Sequence, residues 1–349
     1  MATSTVFRGR RAATIENDEV RVTVLEGGGH IAELFHKGSG VSPLWIPPWP
    51  SIEPSAYVAD GDTTYGGGVE SQLLAGIMGH NLCLDIFGGP SPEEESAGLH
   101  PHGEASIAVY EVEPSATRLT MRATLTEANL RVERQIELED RAVRIRESVE
   151  NLSGTDRPVG WTQHVTLGPP FLERGSTQFR SSATRSKVLE EGFGTADYLV
   201  PAAEFDWPAA PRRDGGTADL RIFTEAAMSG AYTAHLMDPA RHHAFFVAYS
   251  PRFEQAFGYV WKQADFPWMG IWEENHSRTA VPWSGQTLTR GMEFGVSPFP
   301  ESRRRMIDRG RMFGVPTYRW VPALSRVEVE YWILAPLVTS IPETLEWPV

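Results

Sequence analysis

Cysteine is almost missing from the 349-residue chain. Cys83 alone permits no intrachain disulfide and no multi-cysteine zinc site. Its flanks, Asn81-Leu82 and Leu84, mark it as a small buried hydrophobe rather than a reactive thiol. Lysine is nearly as scarce, at Lys37, Lys187 and Lys262 only. Acidic residues exceed basic ones, 45 against 32, and the net charge of −13 repels phosphate backbones and anionic lipid. Nucleic acid and membrane surfaces are therefore not expected partners. No apolar run approaches the ~20 residues of a membrane helix, and the first residues, Met1 to Thr14, lack an apolar secretion segment. These features predict a cytoplasmic protein. The P-loop, the Gly-x-Gly-x-x-Gly turn after a strand, the Gly-x-Ser-x-Gly elbow and His-Glu-x-x-His are all missing as well.

Helical periodicity is also rare. Glu70 to Met78 and Ser302 to Met312 are the two short segments that could hold helix. Alternation with period two dominates instead. Leu119, Met121, Ala123 and Leu125 face one way, and Thr120, Arg122, Thr124 and Thr126 the other. After a turn at Glu127-Ala128-Asn129, Leu130, Val132, Ile136 and Leu138 alternate with Arg131, Glu133, Gln135 and Glu137. A second turn at Glu139-Asp140-Arg141 leads into Val143, Ile145 and Val149. This is an antiparallel meander with one buried face. Val20–Leu25, Ala105–Val112, His243–Tyr249, Phe257–Trp261 and Val327–Leu334 read as further strands. The 32 glycines and 26 prolines are scattered between such runs, which suits a many-turned sandwich better than βα units. Ser181 to Gly216 is the least regular stretch and reads as a long excursion rather than a boundary. The prediction is all-β: one large antiparallel β-sandwich domain over residues 1–349, its core at about 15–340.

Three segments could carry chemistry. In Gly98-Leu99-His100-Pro101-His102-Gly103, two histidines one residue apart would project to the same side of an extended chain, as sugar contacts or as metal ligands. In Trp161-Thr162-Gln163-His164-Val165, a histidine sits opposite the apolar face formed by Val159, Trp161, Val165 and Leu167. In Trp268-Met269-Gly270-Ile271-Trp272-Glu273-Glu274-Asn275, two carboxylates lie beside two tryptophans. Alternation lets only one of Glu273 and Glu274 enter a site, while Trp268 and Trp272 offer flat surfaces for stacking sugar C–H faces. A carboxylate and a histidine together supply what opening an aldose ring requires: a base for the anomeric hydroxyl and an acid for the ring oxygen. Arg303-Arg304-Arg305 reads as a solvated helix face, with a sugar-phosphate clamp as the alternative. Arg290 to Gly295 reads as a strand lining the same cleft as Glu273.

In their order (Gly27-Gly28-Gly29 followed by an apolar segment to Leu44-Trp45, then His102-Gly103, a strand His164 after Asn151-Leu152-Ser153, and a late strand glutamate) these segments resemble the galactose mutarotase-like superfamily, the aldose 1-epimerases and their relatives. The resemblance spans about residues 15–340. It implies a galactose mutarotase-like supersandwich and interconversion of sugar anomers without a cofactor. His164 would be the acid, Glu273 (favoured over Glu274) the base, and His102 a sugar contact. His100, Asp265, Trp268 and Trp272 complete the expected sugar-binding set, with a small carbohydrate as the partner. Two alternatives stay open: a carbohydrate-binding protein without catalysis, and a metal-dependent sugar enzyme in which His100, His102 and His164 gather a divalent ion.

Overall fold

The computed structural model describes residues 2–59 and 63–348. Two large antiparallel sheets of 12 and 8 strands carry the architecture. The smaller sheet contains the expected meander, Arg118–Leu125, Leu130–Glu139 and Ala142–Asn151, extended by Arg326–Leu334, Gln255–Lys262 and His243–Ser250. In the larger sheet, His80–Asp85, Arg157–Leu167, Leu288–Gly295, Trp268–Asn275 and Ser229–Met237 lie side by side in that order. The sheets pack face to face, and the alternating apolar residues of both interdigitate in one core that includes Met121, Val132, Ile145, Trp161, Val165, Tyr259 and Phe294.

The five middle strands of the larger sheet are buried on both faces, with every residue of Trp268–Asn275 and Ser229–Met237 buried. Loops and the short helix Ser71–Gly76 roof the face turned away from the second sheet. There a separate cluster joins Trp45, Trp49, Leu74, Tyr232, Trp272 and Trp283. A two-sided amphipathic strand thus has apolar residues facing the sheet sandwich and polar or aromatic ones under the roof. That second layer is where a recessed site can form.

Two expected elements differ. Ala105–Val112 is not one strand: a 3₁₀ turn at Glu104–Ser106 precedes a short edge strand, Glu111–Pro114. Ser302–Met312 contributes a helix only over Arg303–Arg309, capped by the Ser302 side chain and ended by Gly310 at φ 62°. No helix among the described residues is long and apolar enough to cross a membrane.

Candidate active site

Strand alternation and register bring the polar residues together. His164 lies directly across from Glu293, and Glu293 across from Gly270. Trp272 stands across from Gly291 on one side and Tyr232 on the other. All of these side chains point to the roofed face. They line a cavity of about 240 Å³, below the ~300 Å³ at which pockets for drug-sized ligands begin and of a size for one small molecule. His102 enters from a loop, with its backbone at φ 62° and Gly103 following at φ 75°. Any side chain at Gly103 would strike the Leu84 carbonyl, so the glycine lets the loop rest on the neighbouring strand. The His102 and His164 rings are 4.9 Å apart, and His164 is 5.9 Å from Trp272.

Two glycines make room for the carboxylate. A methyl at Gly291 would overlap Glu293 Oε1, and one at Gly270 would overlap the Tyr232 hydroxyl and touch Glu293 Oε2 at 3.4 Å. That hydroxyl donates to the Pro298 carbonyl at 3.3 Å beside the Glu293 carboxyl, and its ring is wedged against Phe87, Phe193 and Phe299. Tyr232 therefore cannot swing aside. Gly291→Ala, whose methyl would overlap the free end of the Glu293 side chain, is expected to leave the fold intact but to lower turnover about tenfold by displacing that carboxylate. Steady-state rates on an accepted substrate, with thermal unfolding as a control, check this.

Burial controls the protonation of the pair. Removal from water pushes the Glu293 carboxyl up to about 8, offset only partly by the neighbouring Tyr232 hydroxyl. His164 is pushed well below the ordinary histidine value, first by burial and then by His102. His102 is itself lowered to about 4 by burial and by the Arg278 guanidinium. His164 Nε2 lies 3.0 Å from Glu293 Oε1, and Nδ1 is 3.1 Å from Thr166 Oγ1. Both partners favour their neutral forms, so this contact holds one shared proton and becomes an ion pair only when that proton moves to the imidazole. Two cavity-lining polar atoms, His102 Nδ1 and Trp272 Nε1, are buried and find no partner among the described residues. Such atoms suit a ligand with hydroxyl groups.

Of the residues singled out from sequence, His102, His164 and Trp272 meet in this cavity. Glu273 does not. It projects between the sheets, accepts a hydrogen bond from Ser229 Oγ at 2.6 Å, and faces buried Arg290 at 3.6 Å, whose guanidinium lies on Phe179 and Phe223. Glu274 faces the roof, but its oxygens are held by the Ser277 amide and hydroxyl and by the Arg278 amide, tying down the loop that carries Arg278. Trp268 shares the face of Trp272 but lies outside the cavity, donating to the Pro316 carbonyl. Asp265 sits in a turn facing Arg319 at 3.5 Å, beside a charged groove lined by Arg146 and Glu330. His100 also lies outside the cavity, because the chain turns at His102 instead of continuing extended.

Among the described residues no group of three or more His, Cys, Asp or Glu could hold a metal ion. The arginine-rich helix forms no phosphate clamp. Arg303 pairs with Asp85, Arg304 with Asp308 and Arg305 with Glu191, and Arg309 lies between Glu190 and Glu301. Sequence reasoning missed the carboxylate that the geometry offers, Glu293, together with Tyr232, Arg278 and Trp283. Gly291-Met292-Glu293-Phe294-Gly295 carries a signal that could have found Glu293: a carboxylate in a strand with glycine two places away on either side.

Solved structures share this arrangement of strands. One is a candidate aldose 1-epimerase from Klebsiella pneumoniae, 12% identical, with a TM-score of 0.68 over 95% of this chain and 80% of that one. The fold is galactose mutarotase-like. A galactose mutarotase related enzyme from Lactobacillus acidophilus, 12% identical, superposes with a TM-score of 0.59 over 95% of this chain and 99% of its own. A galactose mutarotase-like protein from Clostridium acetobutylicum, also 12% identical, gives 0.61 over 97% and 99%. No family profile matches the sequence, and no curated protein aligns with it.

Proposed function

We propose that this protein interconverts the anomers of a reducing sugar by acid–base catalysis at His164 and Glu293. The observation that carries the reading is their 3.0 Å contact at the floor of a recessed, largely apolar cavity. In its ionised form the pair has an imidazolium and a carboxylate. Glu293 takes the proton of the anomeric hydroxyl, His164 gives its proton to the ring oxygen, and the C1–O5 bond breaks to leave the open-chain aldehyde. The pair then holds its single proton on Glu293, the neutral arrangement that burial favours. Rotation about C1–C2 exposes the other carbonyl face. Closure reverses both transfers, so protons balance and nothing is consumed. Trp272 supplies an apolar face for the sugar ring, and His102 a polar contact to its hydroxyls.

This chemistry needs one proton on the pair, neither none nor two. The rate is therefore expected to stay level through pH 6.5, because His164 is lowered below that value, and to fall as pH rises past about 8, where Glu293 ionises. Two-dimensional NMR exchange between α and β signals, across a panel of aldoses and pH values, tests both points. Acceleration of no sugar would defeat the proposal. A half-maximal rate near pH 6.5 on the acid side would show that an ordinary exposed histidine is at work instead.

A further inference from the structure

The cavity over His164 is not closed at its mouth. Glu70, Leu74, Phe193, Arg278 and Trp283 line it and also line a second, wider cleft of about 710 Å³ on the outside. We propose that this outer cleft is a second sugar subsite, so that the ligand is a reducing disaccharide or longer oligosaccharide with its reducing residue in the inner cavity. The inference rests on the anomer-interconverting reading for the inner residue alone.

Three features of the cleft favour a neutral sugar over a phosphate. Arg278, the cation at the junction, lies over the rings of Trp283, Trp272 and Phe193, and its charge is met by fully buried Glu274 at 3.6 Å. Glu70 adds a further negative group to the same wall. The remaining wall mixes glycines and the hydroxyls of Ser71, Thr195, Ser277 and Thr279 with Tyr65, Val69, Ala280 and Val281. Gly68 and Gly194 have open space where a Cβ would stand, leaving backbone amides and carbonyls near a ligand's hydroxyls. Catalysis places C1 beside His164 and Glu293, so the opposite end of the inner ring faces the mouth. A glycosidic bond from that end leads into the cleft. The difference in size agrees: the inner space suits one ring, and the outer is nearly three times larger.

The test compares each reducing disaccharide of a panel (cellobiose, lactose, maltose) with its own free reducing-end sugar, by NMR anomer exchange and by calorimetric binding. Two variants fill the cleft without touching the inner cavity. Gly68→Leu adds a side chain where nothing lies within 4 Å of the new Cβ, and Thr279→Leu enlarges an exposed cleft residue. The expected result is a kcat/KM at least tenfold higher for one disaccharide than for its monosaccharide. Both variants should bring it within threefold of the monosaccharide value, while the monosaccharide rate, which reports intact folding, stays unchanged. A monosaccharide preference in the unaltered protein, or variants that slow both classes alike, would overturn the subsite. Absence of exchange on every sugar would defeat the anomer reading, and binding then decides the cleft separately. Disaccharide binding tenfold tighter than monosaccharide binding, and lost in both variants, upholds it; equal or undetectable binding ends it.

Discussion

Replacing Glu293 by glutamine is expected to lower kcat/KM for anomer exchange by about 10²–10⁴-fold, the usual contribution of a positioned acid–base group. The same change is expected to make the protein more stable at pH 8. In the unfolded chain this carboxyl ionises near 4.5, whereas in the folded protein burial holds its proton to about 8. Between those values the folded state binds more protons, so stability falls as pH rises through that window. Glutamine has no proton to lose and keeps the shape. The variant's melting temperature should match the parent's near pH 4 and exceed it increasingly toward pH 8. Because His164 accepts part of the charge, the gain should be about 1–3 kcal/mol rather than the full linkage value. Glu273→Gln should do the opposite. It leaves Arg290 buried without its counter-charge, a loss of about 3–5 kcal/mol, while the folded fraction keeps its exchange rate. Measuring both variants for melting and exchange separates the two carboxylates. Lost exchange in Glu273→Gln with normal exchange in Glu293→Gln would reverse the assignment.

The confusion between these carboxylates shows how far sequence reasoning reaches. Alternation correctly puts Glu273 and Glu274 on opposite faces, and His164 opposite Trp161 and Val165. It does not say which face of a doubly buried strand meets the second sheet and which meets the roof. That depends on the register between neighbouring strands, where Glu293 opposite His164 is decided by long-range pairing. The meander from Arg118 to Val149 was readable because each of its strands has an apolar face and short polar turns. His100 was misjudged for a local reason: two histidines share a side only if the chain between them is extended, and His102 adopts a left-handed conformation. Asp265 and Trp268 lie near the right strand but beyond the end that carries the cavity.

Two breaks in the alternation pattern point to the other large effect. Arg134 falls between Val132 and Ile136 on the buried face of its strand, and Glu147 falls between Ile145 and Val149 on the next. Register sets the two side by side. Arg134 Nε donates to Glu147 Oε2 at 2.7 Å, and Glu147 Oε1 accepts from Trp161 Nε1 at 2.5 Å and Gln163 Nε2 at 2.7 Å. Gln163 Oε1 in turn accepts from Arg134 and Tyr331 and contacts His80, whose other ring nitrogen meets the Tyr259 hydroxyl. A polar network thus bridges the two sheets directly behind His164. Glu147→Ala strands the buried Arg134 charge and three donors at once, and should cost about 3–5 kcal/mol in urea unfolding. Removing both charges is a different perturbation. Arg134→Met with Glu147→Leu leaves no unpaired ion, and replacing a buried pair by apolar groups of similar size is often neutral. The double variant should therefore recover the part of the loss that comes from the charge, while the Trp161 and Gln163 donors stay unmet. Recovery would show that the penalty lies in the orphaned charge; a double variant as unstable as the single one would show that the network itself holds the sheets in register. A loss below about 1 kcal/mol in Glu147→Ala would mean that water reaches this part of the core.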